Sequence, residues 1–175
     1  MEERIGEAFA FEEQLTVLGK KLLPMELAPD FVLDYVDLID MTVHQTRLTD
    51  SSGVIRVLSV VNSLDMPVCR FQTLRWEEMR LLLPPDICLY TISMDLPYAQ
   101  ARWQIAEAVV HQTLSAHRSD QFGLAYGVLL KEWRLLQRAI FVINRDDYVI
   151  HAQYMADQQG WPDFQLTLDV ISKIS

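Results

Sequence analysis

The chain has 175 residues, half of them hydrophobic, and a formal net charge of −9 at pH 7, which suits one domain with a substantial core and argues against disorder or a repeat array. Fifteen Lys and Arg residues against 24 Asp and Glu, scattered rather than clustered, argue against nucleic acid as a partner. The acidic start Met1-Glu2-Glu3-Arg4 lacks the basic and apolar regions of a secretory signal and no apolar run approaches a membrane span, so a cytoplasmic protein without membrane contact is expected. The two cysteines then read as reduced thiols rather than a structural disulfide.

In chain order, Phe9 to Val17 and Lys20 to Leu23 flank Gly19 as a hairpin would, and Pro29-Asp30-Phe31 turns the chain. This predicts a hairpin arm, residues 1–24, at the head of a single 1–175 domain. Strands are predicted at Val54–Val61, Ile87–Ile92, Ala139–Ile143 and Tyr148–Gln153. The first two are apolar on consecutive residues, as strands covered on both faces tend to be. Asn144-Arg145-Asp146-Asp147 reads as a hairpin turn between the last two.

Helical spacing relates Phe71, Leu74, Met79 and Leu82, with Glu77, Glu78 and Arg80 turned outward; Tyr98, Ala101, Ile105, Ala108 and Val109 repeat the pattern after Pro97. Phe164, Leu168, Ile171 and Ile174 predict a terminal helix. Strand, helix, strand, helix, hairpin and helix together predict an α/β layered sheet of mixed strand direction.

Cys69 falls just after Pro67-Val68, in the first turn of the predicted helix that follows the apolar run and Asn62. Unpaired N–H groups and the positive end of the helix dipole favour a thiolate there. The expected titration is therefore below the free-cysteine value of about 8.5. A buried, inert thiol is the competing reading of a lone cysteine.

Several stretches carry a family resemblance: Ala28-Pro29-Asp30-Phe31, Ser63-Leu64-Asp65-Met66-Pro67-Val68-Cys69, Gln72-Thr73, Asp95-Leu96-Pro97-Tyr98-Ala99-Gln100-Ala101-Arg102, Phe122-Gly123-Leu124-Ala125-Tyr126-Gly127-Val128-Leu129 and Arg138-Ala139-Ile140-Phe141-Val142. In this order they resemble the bacterial thiol peroxidases, a subfamily of the peroxiredoxins. The resemblance implies a thioredoxin fold, a homodimer, and an antioxidant oxidoreductase in which a cysteine reduces hydroperoxides and is recycled by thioredoxin. It places Cys69 as the peroxidatic cysteine and Arg138 as the arginine beside it. Two departures accompany it. The family pattern Pro-x-x-x-Thr-x-x-Cys reads Asn62, Met66 and Cys69 here, and the resolving cysteine two residues after the arginine of the Leu-Pro-x-Ala-Gln run is Gln104.

Peroxide reduction needs a thiolate and donors that stabilise the departing oxygen. Cys69 and Arg138 supply the nucleophile and a permanent cation, with Met66 and Pro67 as the residues lining the substrate approach. A threonine hydroxyl lost at Met66 is worth roughly 1.5–3 kcal/mol, or roughly 10- to 150-fold in rate. Ser63 is a possible substitute hydroxyl. Arg70, beside the thiol, reads first as a solvated helix arginine and second as a source of positive field at the sulfur; Asp95 reads as an N-cap, and the Glu107/His111 pair as a surface contact on one helix face. The dispersed histidines His44, His111, His117 and His151 give no metal-ligand spacing. Trp76, Trp103, Trp133 and Trp161 read as core, or as part of an apolar dimer seam. Cys88 opens the strand after Cys69's helix, at the opposite edge of the sheet, too far for a disulfide.

The expected protein is thus a one-cysteine thiol peroxidase with no bound cofactor, taking a hydroperoxide and recycled by thioredoxin or a small thiol. The alternative is a catalytically impaired relative that serves as a redox sensor or partner protein.

Overall fold

The computed structural model describes residues 2–175. Strand β1 (Glu3–Ala10) turns into β2 (Glu13–Leu18). The hairpin is present but turns at Phe11-Glu12, with Phe11 at φ +54°, rather than at Gly19. Gly19 lies beyond the hairpin at φ +94°, where a Cβ would come within 2.2 Å of the Leu124 carbonyl oxygen; close backbone approach, not turn formation, explains this glycine.

Strands β3 (Val32–Val36) and β4 (Val43–Arg47) form an antiparallel pair that the sequence pattern does not announce. The second is short, polar and largely exposed, as edge strands commonly are. Next come β5 (Ile55–Val60), helix α1 (Pro67–Met79), β6 (Ile87–Ser93), helix α2 (Pro97–Glu107) and β7 (Gln112–Ser115). A short helix α3 (Gln121–Ala125), a two-residue β8 (Leu129–Leu130), β9 (Ala139–Ile143), β10 (Val149–Tyr154) and helix α4 (Phe164–Ile174) complete the chain.

The main sheet has seven strands in the order β10-β9-β5-β6-β7-β3-β4. Strands β5, β6 and β7 are parallel and the remaining pairings are antiparallel, as the layered pattern predicts. Every residue of β5 is buried, because both faces are covered. Ile55 and Val57 pack with Trp76, Met79 and Ile171 from α1 and α4, whereas Leu58 and Val60 join Phe31, Phe122, Tyr126 and Phe141 on the other side. The hairpin turn at 144–147 forms as expected, with the Asn144 N–H donating to the Tyr148 carbonyl at 2.9 Å.

The predicted helix faces are rotated. In α1 the buried side chains are Cys69, Gln72, Thr73, Trp76 and Met79, while Phe71 is about half exposed and Leu82, beyond the helix, more so. In α2 the buried set is Pro97, Gln100, Ala101, Trp103 and Gln104, and Tyr98 and Ile105 face outward. Polar side chains go inward because each finds partners there: Gln72 Nε2 donates to Ser59 Oγ at 2.9 Å, Gln100 Nε2 to the Leu114 carbonyl at 2.9 Å, and Gln104 Nε2 to the His111 carbonyl at 2.9 Å.

The β1–β2 hairpin is tied to the body. Strand β2 pairs with β8 in a separate three-stranded sheet. The Phe9 N–H donates to the Ala156 carbonyl, and the Phe9 carbonyl accepts the Gln158 N–H, each at 2.8 Å. The hairpin thus braces the 155–160 loop, which reaches the site described next.

His111 lies beyond the end of α2, so it shares no helix face with Glu107. Its Nδ1 instead meets Glu77 Oε2 at 2.6 Å, and its backbone N–H donates to the same oxygen at 3.0 Å. Burial alone would raise the Glu77 carboxyl, but the contacts with His111, helped by the Arg80 Nε–H that donates to Oε1 at 3.0 Å, outweigh it and hold the group down at about 2, against an ordinary 4.5. A folded-state value below the unfolded one adds stability that is present above about pH 4.5 and lost as pH falls toward 2. Acid-unfolding curves of Glu77→Gln should accordingly be flatter than wild type over that window; superimposable curves would show that this pair does not contribute.

Candidate active site

The parallel strand β5 ends at Val60, and the Val61 N–H donates to the Ile92 carbonyl at 2.9 Å, extending the pairing into the turn. The turn Ser63–Met66 closes with the Met66 N–H on the Ser63 carbonyl at 3.1 Å, and Pro67 opens α1 with its fixed φ and no N–H to satisfy. This places Cys69 in the helix's first turn, where the sequence expects it, fully buried among Val61, Leu64, Trp103 and Val109.

Asp95 does not cap α2, since the N-cap is Leu96. Its carboxylate instead accepts from Ser63 Oγ at 2.7 Å, the Leu64 N–H at 2.8 Å and Ser93 Oγ at 2.7 Å. It pins the turn before Cys69 to the end of β6. The Ser63 hydroxyl is thereby committed to Asp95 and does not replace a threonine. Arg70 is neither simply solvated nor a source of field at the thiol: it forms a two-point ion pair with Glu107, at 2.9 and 2.7 Å, that clamps α1 to the end of α2.

Arg138 opens β9 and is completely buried. Its Nε and Nη2 both donate to Gln72 Oε1, at 3.0 and 2.6 Å, while Nη1 donates to the carbonyls of Gln158 at 3.1 Å and Gly160 at 2.6 Å. Burial draws the guanidinium below its usual range, opposed by Cys69 and Asp157. An arginine remains charged through such a shift. The cation is therefore held rigidly on the Cys69 side of the sheet by α1 and the 155–160 loop.

The structure overturns one expectation about the thiol. Burial pushes Cys69 above the ordinary cysteine value, and the backbone N–H groups of Ser63 and Asn62, with Arg138, only partly offset it. The sequence identifies the helix terminus but not how completely water is excluded from it.

Met66 is the N-cap of α1 without a capping side-chain hydrogen bond, and its half-buried side chain packs against the Cys69 cluster. Pro67 is exposed beside it. Gln104 sits in the buried face of α2, bonded to the His111 carbonyl and accepting from Thr113 Oγ1 at 2.7 Å. Cys88 pairs across the sheet with Arg56 near the start of β5, about 13 Å of strand before Val60. Both cysteines are free. Trp76 and Trp103 are core, as expected, whereas Trp161 is exposed and stacks obliquely near Phe71.

Sequence reasoning missed Gln72 and Gln158 as parts of the site, and identified Asn62 only as a departure from the family pattern, not as a side chain bonded into the site. Buried amides leave no periodic signal, although the Gln72-Thr73 pair belongs to the stretches that carry the resemblance. Asp37, Asp40 and His44 bring potential ligand atoms within 4.8 Å of one another on the exposed β3–β4 turn, remote in sequence from this network; Asp40 and His44 already hydrogen-bond to each other and to Thr42, and Asp37 Oδ1 accepts the Ile39 N–H.

A buried helix-terminal cysteine beside a fixed arginine, at the carboxyl end of parallel strands in a mixed sheet, defines a thioredoxin-fold protein of the peroxiredoxin class. The model of the AhpC/TSA family matches residues 24–152, and the chain belongs to that family. It is 37% identical over 162 residues to the thiol peroxidase of Oceanobacillus iheyensis, covering 92% of this chain and 95% of the relative. It is 40% identical over 157 residues to that of Halalkalibacterium halodurans, covering 89% and 90%. The fold superposes on a peroxiredoxin-like protein from Aquifex aeolicus with a TM-score of 0.84 at 22% identity, over 98% and 99% of the two chains. The thiol peroxidase of Chromobacterium violaceum gives a TM-score of 0.80 at 22% identity, over 95% of each chain.

Proposed function

We propose that this protein is a thiol-dependent peroxidase in which Cys69 reduces hydroperoxides and Arg138 stabilises the charge that develops. The observation that carries this reading is the juxtaposition of a helix-terminal cysteine with a guanidinium locked by Gln72, Gln158 and Gly160. Relatives named thiol peroxidase match about nine-tenths of the chain. The alternative of an impaired sensor or partner protein is therefore not favoured.

The sulfur, as thiolate, attacks the terminal peroxide oxygen. The O–O bond breaks, the alkoxide or hydroxide leaves and takes up the proton that the thiol lost, and sulfur is oxidised by two electrons to the sulfenic acid. Arginine offers five N–H donors, and the protein contacts leave one on Nη2 to stabilise the transferring or departing oxygen. Access to the buried thiol runs past Met66 and Pro67, so the first turn of α1 must shift to admit substrate.

A donor thiol then displaces water from the sulfenic acid to form a mixed disulfide, and a second thiol restores Cys69. With Gln104 at the position where the resemblance expects a resolving cysteine, the one-cysteine route with a small thiol or thioredoxin suits this chain. Two free cysteines and the need for a reductant suit the cytoplasm. No helix among the described residues is long and apolar enough to cross a membrane. Outward-facing Leu38, Ile39, Met41, Leu96 and Tyr98 supply apolar surface for a homodimer.

The direct test is hydroperoxide consumption with a small dithiol or thioredoxin as donor. Wild type should turn over, and Cys69→Ser should fall to the uncatalysed background. Turnover that survives in Cys69→Ser, or a wild type that consumes no peroxide with either donor, would overturn the proposal. After one equivalent of peroxide without donor, intact mass should show added oxygen on Cys69 rather than a Cys69–Cys88 bridge. A stoichiometric internal disulfide would contradict the one-cysteine route.

A further inference from the structure

Asn62 is a fully buried amide immediately before the turn that leads to Cys69. Its Nδ2 donates to the Leu136 carbonyl at 2.7 Å and to Gln158 Oε1 at 3.0 Å. Gln158 cannot turn its own oxygen away. That oxygen also accepts the Arg138 backbone N–H at 3.0 Å, while its Nε2 donates to the Met155 carbonyl at 2.6 Å. Turning the Asn62 amide over would set its oxygen against two other carbonyl oxygens, so the orientation is determined by the surrounding bonds. The remaining Oδ1 faces Cys69 Sγ at 3.8 Å, in the position of an acceptor for the S–H.

We propose that Asn62 is a positioning residue that accepts the Cys69 S–H and thereby holds the nucleophile in its protonated form, acting as an acid–base brake on peroxide attack. The proposal rests on Cys69 being the peroxidatic residue. An acceptor bonded to the neutral form disfavours the charged form, because ionisation leaves a carbonyl oxygen facing a thiolate.

The charged groups that act on the sulfur are Arg138, which favours ionisation, and Asp95, which opposes it; Asp157 acts on Arg138 in turn. The backbone N–H groups of Ser63 and Asn62 itself favour the thiolate. The residues packed around the thiol, Val61, Leu64, Trp103, Val109, Met66, Val68 and Leu74, are apolar. The Asn62 side chain is thus the acceptor whose removal should release the thiol while leaving Arg138 and Asp95 in place.

The test is the pH profile of Cys69 alkylation by iodoacetamide in the Cys88→Ser background. Asn62→Leu fills similar volume without an acceptor and should lower the midpoint by about half to one pH unit, raising the neutral-pH rate roughly 3- to 10-fold. Asn62→Asp keeps an acceptor and adds negative charge, and it should move the midpoint up. A merely structural role would not move the two variants in opposite directions. An unmoved or raised midpoint in Asn62→Leu, or a lowered one in Asn62→Asp, overturns the proposal.

Should these variants fail to fold, the infrared S–H stretch of the Cys88→Ser protein decides. The Cys69 band should lie at lower frequency in the native than in the unfolded protein, and an unchanged frequency overturns the proposal. Peroxide consumption by the wild type separates the two readings. Alkylation shifts as expected without peroxide turnover would sink the peroxidase reading and leave the Asn62 contact standing, whereas turnover with unmoved midpoints would do the reverse.

Discussion

Arg138→Ala is expected to slow oxidation of Cys69 by roughly 10- to 150-fold, the kinetic equivalent of one charge-assisted hydrogen bond. It should also lower the melting temperature by roughly 6–20 °C. The first effect follows from losing the cation that opposes burial of the thiol. The second follows from the acceptors it strands, the buried Gln72 Oε1 and Gln158 carbonyl and the part-buried Gly160 carbonyl. Each buried acceptor left without a donor costs about 1–3 kcal/mol, so three of them with partial relaxation cost about 3–5 kcal/mol, and each kcal/mol shifts the melting point of a chain of this size by roughly 2–4 °C. Stopped-flow oxidation and thermal unfolding measure the two effects independently. The alkylation midpoint of Cys69 should rise further in the variant; an unchanged midpoint would show that the guanidinium does not act on the sulfur.

Met66→Thr is expected to raise the second-order rate with hydrogen peroxide by about one to two orders of magnitude. Met66 occupies the N-cap of α1, and Cys69 is the third residue of that helix. A threonine there is placed to accept the Cys69 backbone N–H as an N-cap does, while its O–H turns toward the sulfur or the peroxide. The cap contributes about 0.5–2 kcal/mol, offsetting the half-buried methionine packing that is lost, so stability should change little. Gln104→Cys addresses recycling instead. It sacrifices the bonds from Gln104 to the His111 carbonyl and Thr113, which should lower stability by roughly 1–3 kcal/mol, and it should permit an internal disulfide only if α2 unwinds toward Cys69. The double variant should therefore be the one that cycles well with thioredoxin. If Met66→Thr leaves the attack rate unchanged, the missing hydroxyl is not what limits this site, and attention passes to Asn62.

Much of the α/β frame is legible in the order of residues. The apolar run of β5, the turn at Asn144–Asp147 and Pro67 opening a helix before Cys69 are local signals, each interpretable from a few consecutive residues. The elements that escape notice are short or polar. Strand β4 lies at a solvated edge, β7 is four residues long, and β8 only two. Their pairing depends on a partner elsewhere in the chain rather than on their own composition.

By itself the sequence determined which residue could serve as nucleophile, which arginine could accompany it, and the layered frame that holds them. The tertiary structure decided the surroundings of that thiol and which faces of α1 and α2 are buried. Hydrophobic periodicity reports burial only where burial is apolar. Gln72, Gln100 and Gln104 break the pattern because strands packed against their helices supply partners for their amides, through Nε2 alone in the case of Gln100. The proton affinity of Cys69 likewise sums contributions from Asn62 and Ser63, Asp95 and Arg138, on three separate stretches of chain, with the exclusion of water that only packing creates. A helix N-terminus favours a thiolate wherever water can reach it; here the Cys69 side chain in that first turn is sealed inside the protein, and desolvation prevails.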